Sequence, residues 1–226
     1  MLRTLILDNS VQPVFLREGR LTRRWFEETP QVVDAVRQPL PPPDSFDRLV
    51  LTGSEASVLD EWPWIHREIE FVQRAIDGGK PVLGVCFGHQ LLARACWGRG
   101  RVRHAKEPEF GWRKIHLDIA DPLFAGLAPE VVAFCSHFDE VHDLPSDAII
   151  LAASDQCPVH AFRLRGRPVW GIQFHPEMDR LGGWAILAKV GLHQRQIPLD
   201  WFNWLGAADG PRHAAAIFGN FARVTS

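Results

Sequence analysis

The first 85 residues carry three short runs of consecutive apolar positions, at residues 5–7, 49–51 and 82–85. Runs that are continuous rather than alternating are typical of strands buried on both faces, as in a parallel sheet. We therefore predict three central strands at these positions.

Apolar residues at helical spacing lie between the second and third runs, and again after the third run. Residues 64–76 place four apolar side chains on one stripe and stop at Gly78, the residue type favoured just past a helix end. The stripe consists of Ile65, Ile69, Val72 and Ile76. A second helix is predicted over residues 88–97. Strands that alternate with helices indicate a parallel sheet covered on both faces.

The second half of the chain has a different pattern. Strand-like runs follow one another without long helices between them, at residues 114–119, 131–134, 149–153, 159–164 and 169–174. We interpret them as a β-rich, antiparallel extension of the sheet. Residues 183–223 return to helical spacing, and the proline-rich segment 38–44 is interpreted as a loop inside one domain rather than a linker.

Composition narrows the function classes by exclusion. The 226 residues carry a net charge of −2 and are 46% hydrophobic, which suits a full core and excludes a dominant electrostatic attraction to nucleic acid or membrane. No apolar run reaches the ~18 residues of a membrane helix, and the N-terminus is predicted to be a strand rather than a signal peptide. Four cysteines without a C-x-x-C pair are typical of free thiols in a cytoplasmic protein. With no nucleotide-binding motif or metal-ligand spacing, we expect neither cofactor nor metal.

Candidate chemistry begins where the third apolar run ends. Cys86 lies between Gly84 and Gly88 at a strand-to-helix junction, the spacing of a nucleophile elbow with sulfur in place of oxygen. The glycines suit the crowded turn, and the helix N-terminus favours a thiolate. An ordinary thiol is only about 3% ionised at pH 7, and lowering its pKa by ~2 requires roughly 2.7 kcal/mol, more than a helix end supplies. A neighbouring base is therefore expected. The other cysteines are interpreted as inert: Cys96, Cys135 and Cys157.

A histidine and a glutamate follow the last strand-like run. Residues i and i+2 of an extended chain point to the same side, so Glu177 can approach the imidazole of His175. Glu177 would then fix the tautomer of the ring and stabilise its charged form. Alone, His175 would be interpreted as a capped or solvent-facing histidine. With Cys86 upstream, a nucleophile, a base and an orienting carboxylate form the better hypothesis.

Three motifs, at residues 81–90, 136–139 and 173–177, together resemble those of the class I glutamine amidotransferases. The similarity is greatest to stand-alone members that resemble the amidotransferase domain of guanosine monophosphate synthetase, and it spans about residues 49–177. It implies an α/β fold, with a three-layer flavodoxin-like core, a mostly parallel sheet and a small antiparallel β extension. We expect one such domain over residues 1–226.

The resemblance also implies roles for single residues. Cys86 would attack the side-chain amide carbon of glutamine, with His175 as base and Glu177 as its orienter. The oxyanion hole would be formed by backbone N–H groups near Gly53, Ser54 and Phe87. The α-amino and α-carboxylate groups of the substrate would be held by Gln90 and by the backbone of Ser136, His137 and Phe138. One departure from the family pattern is Glu55, whose carboxylate after the oxyanion loop could raise the thiol pKa or perturb substrate entry.

The predicted function is hydrolysis of the glutamine amide through a γ-glutamyl thioester, with ammonia released for a separate synthetase. One alternative is a stand-alone hydrolase of γ-glutamyl amides or peptides that uses the same triad. A second is a catalytically silent binding protein on the same scaffold. Nucleic acid and membrane are not expected as partners.

Two further features have alternative interpretations. Alternation would put Arg99, Arg101 and Arg103 on one strand face near Lys106, either as a docking surface for a synthetase or acidic substrate, or as a solvated edge. The aromatic cluster at residues 201–205 is interpreted as core packing of a terminal helix.

Overall fold

The computed structural model describes residues 2–12, 17–194 and 209–225. The helices in this part are α1 (Glu18–Arg23), α2 (Pro63–Asp77), α3 (Phe87–Trp97), α4 (Arg180–Gln194) and α5 (Gly210–Ala222). The strands are β1 (Thr4–Asp8), β2 (Gln31–Asp34), β3 (Arg48–Leu51), β4 (Val82–Val85), β5 (Val102–Leu117), β6 (Glu130–Val141), β7 (Ala148–Ala153), β8 (Ala161–Leu164) and β9 (Val169–Ile172). No helix among the described residues is long and apolar enough to cross a membrane.

These strands form one sheet in the order β2-β1-β3-β4-β9-β8-β7-β5-β6. The first four neighbouring pairs are parallel and the last four are antiparallel. The α/β class is confirmed, whereas the prediction of a mostly parallel sheet with a small antiparallel extension is wrong, because the antiparallel half is as large as the parallel half.

The long β5–β6 ribbon accounts for this difference. β5 has 16 residues and β6 has 12, and their register is interrupted between His104 and Glu109. The first part of β5 is rich in charged residues and contains Pro108, so it lacks the apolar alternation that predicts a strand. The connection between them, residues 118–129, holds no α-helix and only a short 3-10 helix at Pro122–Phe124, which suits antiparallel pairing.

The core lies on both faces of the sheet. Successive side chains of a strand point to opposite faces, and Leu5 and Leu7 pack with one apolar cluster while Ile6 packs with another. Helices α2 and α3 cover the first face, and α5 covers the second. The carboxyl ends of β3, β4 and β9 therefore meet between two helical layers, where ligand sites of α/β sheets form.

The local predictions had mixed outcomes. Helices α2 and α3 and the three central strands are confirmed within one or two residues of their expected bounds. The basic stretch is not one strand face: Arg99 and Arg101 lie in a 3-10 turn, and only Arg103 lies on β5. The guanidinium of Arg99 pairs with Glu61 at 3.1 Å, that of Arg103 pairs with Glu140 at 2.7 Å, and that of Arg101 donates to a backbone carbonyl. The aromatic cluster at residues 201–205 lies outside the described residues.

Candidate active site

The turn at Cys86 has the geometry of a nucleophile elbow. Its φ of 51° and ψ of −103° lie in a region that non-glycine residues rarely adopt, at a cost of about 1–3 kcal/mol. A Cβ on Gly84 would come within 2.3 Å of the Gly88 carbonyl oxygen, and one on Gly88 would come within 2.5 Å of the Leu51 carbonyl oxygen. Both glycines are therefore required by close backbone approach. The Cys86 N–H donates to Ile172 O at 2.8 Å, which ties the elbow to β9.

The imidazole of His175 lies between a carboxylate and a thiol. Its Nδ1 is 2.7 Å from Oε1 of Glu177, and the two side chains are 3% and 1% exposed. Burial by itself lowers the pKa of His175, but the charges of Cys86 and Glu177 and the hydrogen bonds to them outweigh burial and raise it well above its usual value. With Nδ1 held by Glu177, Nε2 is the nitrogen left to exchange a proton with the thiol.

The sulfur of Cys86 has two further polar neighbours. It lies 3.9 Å from the Ser136 carbonyl oxygen and 3.7 Å from Nε2 of Gln173. Gln173 was not among the residues predicted for the site. Its position two residues before His175 would have revealed it, because both side chains point to the same side of β9 and its extension.

The oxyanion-loop candidates lie against the elbow. The Gly88 N–H donates to Thr52 O at 3.2 Å, which joins the residue before Gly53 to the start of α3. Phe87 is the first residue of α3, where backbone N–H groups have no intrahelical partner. Ser54 accepts a hydrogen bond from the Ala56 N–H at its hydroxyl. The hydrogen bond between Gly88 and Thr52 thus holds the residue before Gly53 against the first turn of α3.

The predicted substrate-binding residues lie on α3 and β6. The amide nitrogen of Gln90 donates to Asp139 O at 2.9 Å and to Gln173 Oε1 at 3.2 Å, so this side chain links the two elements. The side chain of Phe138 is 47% exposed, whereas His137 is buried and turned into the protein. Of this segment, the Ser136 carbonyl is the group that faces Cys86.

A buried carboxylate holds His137 in place. Glu109 lies opposite His137 in the β5–β6 register, and its Oε2 is 3.0 Å from Nε2 of His137 and 2.8 Å from Nε2 of His160. Burial would raise the pKa of Glu109, but the two histidines hold it well below its usual range. No local pattern in the sequence indicates this group, since its members are brought together only by strand pairing.

Two sets of side chains among the described residues have potential metal-ligand atoms within 4.8 Å of one another. One set comprises Glu109, Cys135, His137 and His160, and the other comprises Glu18, His175 and Glu177. In the first set the Glu109 carboxylate is already engaged by two imidazoles and by the Ser154 hydroxyl.

The remaining candidates differ in exposure and reactivity. Glu55 is exposed and accepts a hydrogen bond from the Val11 N–H at 3.0 Å. Burial raises the pKa of Cys96 and of Cys157 to about 12, and raises that of Cys135 well above its usual value. These three thiols are therefore poor nucleophiles near neutral pH.

Comparison with known proteins agrees with the motifs. The family model "Glutamine amidotransferase class-I" matches residues 22–184. One subunit of the glutamine-hydrolysing GMP synthase of Methanococcus vannielii is 37% identical over 132 residues, which cover 58% of this chain and 69% of that protein. The corresponding subunit from Thermoplasma acidophilum is 32% identical over 182 residues, 79% of this chain and 86% of that protein. A glutamine amidotransferase structure from Thermotoga maritima superposes with a TM-score of 0.81 over 99% of both chains at 18% identity, which shows the shared fold.

Proposed function

The chain belongs to the class I glutamine amidotransferases, and on this premise we propose that it hydrolyses the side-chain amide of glutamine through a thioester on Cys86. The observation that supports this most strongly is the placement of one buried imidazole, His175, whose Nδ1 lies 2.7 Å from Glu177 and whose pKa is raised by both Cys86 and Glu177. A thiol with an ordinary pKa is mostly protonated at neutral pH, so attack by Cys86 requires a base. His175 is placed to serve as that base.

The proposed reaction begins with proton transfer from the Cys86 thiol to Nε2 of His175. The thiolate attacks the amide carbon of glutamine, and the imidazolium returns the proton to the departing nitrogen as the C–N bond breaks. Ammonia and a γ-glutamyl thioester result. Water, deprotonated by His175, then attacks the thioester, glutamate leaves, and the proton returns to the thiol.

Glu177 and the backbone amides would stabilise charge as it develops. The 2.7 Å contact of Glu177 with Nδ1 favours the imidazolium that forms in each half-reaction. We assign the oxyanion to N–H groups near Gly53 and at Phe87, because helix α3 begins there and the Gly88 amide joins the loop to it. Removing one oxyanion donor typically costs about 3–4 kcal/mol of transition-state stabilisation.

The released ammonia would be consumed by a separate synthetase. The support is the similarity to proteins named as one subunit of a glutamine-hydrolysing GMP synthase in Methanococcus vannielii and Thermoplasma acidophilum. We expect a synthetase that copurifies with the protein to raise the rate of ammonia release from glutamine, and an assay with and without that synthetase measures this effect.

The direct test compares substrates and labels the nucleophile. We expect release of ammonia from free glutamine at a higher kcat/KM than release of amines from γ-glutamyl conjugates. A glutamine-analogue electrophile should modify Cys86, and Cys86→Ser should abolish both modification and hydrolysis. Cys135→Ser is the matched control, since burial raises the pKa of this thiol well above its usual value and makes it a poor nucleophile.

Each other outcome identifies a different function. A strong preference for γ-glutamyl amides or peptides would replace the proposal with a γ-glutamyl hydrolase that uses the same residues. Absence of labelling at Cys86, with and without candidate synthetases, would indicate a silent binding protein.

A further inference from the structure

Glu18, the first residue of α1, reaches into the candidate active site. A Cβ on Gly53 would lie only 2.2 Å from its Oε2, so this carboxyl group lies directly against the oxyanion loop. Its carboxyl oxygen, that of Glu177 and a ring nitrogen of His175 lie within 4.8 Å of one another. Oε2 of Glu18 and Oε2 of Glu177 are both buried and have no hydrogen-bond partner among the residues that the structure describes.

Two buried carboxyl groups thus face one imidazole. Among the described residues, the charged and titratable groups around Glu18 and its partner Glu177 include Asp8 at the end of β1, Arg17 before α1, Arg24 after α1, Glu55 after the Gly53 loop, and His175 after β9. Both cations are already engaged: Arg17 is paired with Asp8 at 3.0 Å and with Asp34 at 2.8 Å, and Arg24 donates to the Glu177 carbonyl at 3.0 Å and pairs with Asp179 at 3.6 Å. His175 is held by Glu177, so an ionised Glu18 would be an uncompensated buried charge.

Protonation of one of the two carboxyl groups would remove this uncompensated charge. A neutral carboxylic acid is a donor, whereas a carboxylate is only an acceptor. A proton on Glu18 would remove the repulsion between the two carboxyl groups, which lie within 4.8 Å of each other, and would give Glu18 a hydroxyl that can donate toward the Glu177 carboxylate. Burial, together with the neighbouring carboxylates, outweighs the opposing charge of His175 and raises the pKa of Glu18 to about 7.

We propose that Glu18 is a positioning residue of this site which acts as a neutral carboxylic acid, donating a hydrogen bond to Glu177 and keeping the oxyanion loop free of negative charge. This inference rests on the proposed function, because it takes Cys86, His175 and Glu177 as the reacting set. When Glu18 ionises, its charge lies beside the position assigned to the oxyanion and opposes the tetrahedral intermediate. The rate should therefore fall as the pH rises through neutrality.

The charge of Glu18 can be measured at Cys86 without any substrate. Alkylation of Cys86 by anionic iodoacetate and by neutral iodoacetamide depends equally on the thiolate fraction, so the ratio of the two rates reports the local charge. In the wild-type protein we expect this ratio to fall about 3- to 10-fold between pH 6 and pH 8.5. In Glu18→Gln, which keeps a donor but cannot ionise, the ratio should change much less.

The matched control is Glu55→Gln, which removes a nearby exposed carboxylate. It should retain the wild-type pH dependence of the ratio. A ratio in the wild-type protein that is constant from pH 6 to pH 8.5 would overturn the inference, and so would an identical fall in Glu18→Gln. If a variant does not fold, the pH dependence of the ratio in the wild-type protein still tests the inference.

Turnover separates this inference from the proposed function. For glutamine hydrolysis, we expect kcat of the wild type to fall above pH 7, kcat of Glu18→Gln to persist there, and kcat of Glu18→Ala to be low at every pH, with smaller changes in KM. A pH-dependent alkylation ratio without glutamine hydrolysis would overturn the proposed function and leave the role of Glu18 intact. Glutamine hydrolysis with the same pH profile in the wild type and in Glu18→Gln would overturn the role of Glu18 and leave the proposed function intact.

Discussion

Glu68 on α2 is a second buried carboxyl group, and it lies near Asn9, which contacts the residue before Gly53. It is fully buried and contacts the side chain of Asn9. Asn9 in turn hydrogen-bonds to the backbone and side chain of Thr52. Burial raises the pKa of Glu68 to about 8, although Asn9 and Arg67 act in the opposite direction. We predict that ionisation of this group destabilises the folded protein as the pH rises.

The sign and size follow from linkage between proton binding and folding. The folded state holds a proton that the unfolded chain releases near pH 4.5, so the contribution of Glu68 to the free energy of unfolding is largest below that pH. It falls by at most about 1.4 kcal/mol for each pH unit until Glu68 ionises near pH 8, and the loss levels off there at about 5 kcal/mol. Glu68→Gln has nearly the same shape and cannot ionise, so this loss should disappear.

Urea unfolding at pH 5.5, 7 and 8.5 provides the assay. The stability of Glu68→Gln relative to the wild type should increase by about 3 kcal/mol between the lowest and the highest pH. Glu70→Gln, on the exposed side of the same helix, is the matched control and should change by no more than about 0.5 kcal/mol. A difference between Glu68→Gln and wild type that is independent of pH would refute the reasoning.

Two further predictions concern the site itself. Glu177→Gln should lower kcat by about 10³- to 10⁴-fold with little loss of stability, because the amide no longer favours the imidazolium. In the same variant ¹⁵N NMR should show a lower pKa for His175, and an unchanged pKa would contradict the assigned contact. Gly84→Ala should destabilise the protein by about 1–3 kcal/mol in thermal unfolding, since its Cβ would meet the Gly88 carbonyl at 2.3 Å. Gly100→Ala, whose Cβ meets no atom of the described residues within 4 Å, is the control and should unfold close to the wild type. Equal effects of the two substitutions would count against a sterically forced elbow.

The sequence predicted those parts of the molecule that follow local rules. The elbow at Cys86 is encoded by two glycines within four positions, and the contact between His175 and Glu177 by their i, i+2 spacing on an extended chain. The stripe of α2 and the apolar runs of the parallel half are also local signals. Each of these features was correct in place and type.

The parts that were missed depend on contacts between distant segments. The start of β5 is charged and shows no alternation, so only its pairing with β6 identifies it as a strand. Glu109 is brought to His137 by that same register, across 28 positions of sequence. Glu18 begins a helix of six residues that is too short to show periodicity, and its partners lie far along the chain.

The central claim is that Cys86 carries the γ-glutamyl group during turnover. Acid quenching of the protein during steady-state reaction with glutamine, followed by mass analysis of its peptides, tests this claim most directly. We predict one γ-glutamyl adduct on the peptide that contains Cys86, present in Cys135→Ser and absent in Cys86→Ser. Release of ammonia from glutamine by Cys86→Ser at the wild-type rate, with no adduct in either protein, would contradict the account.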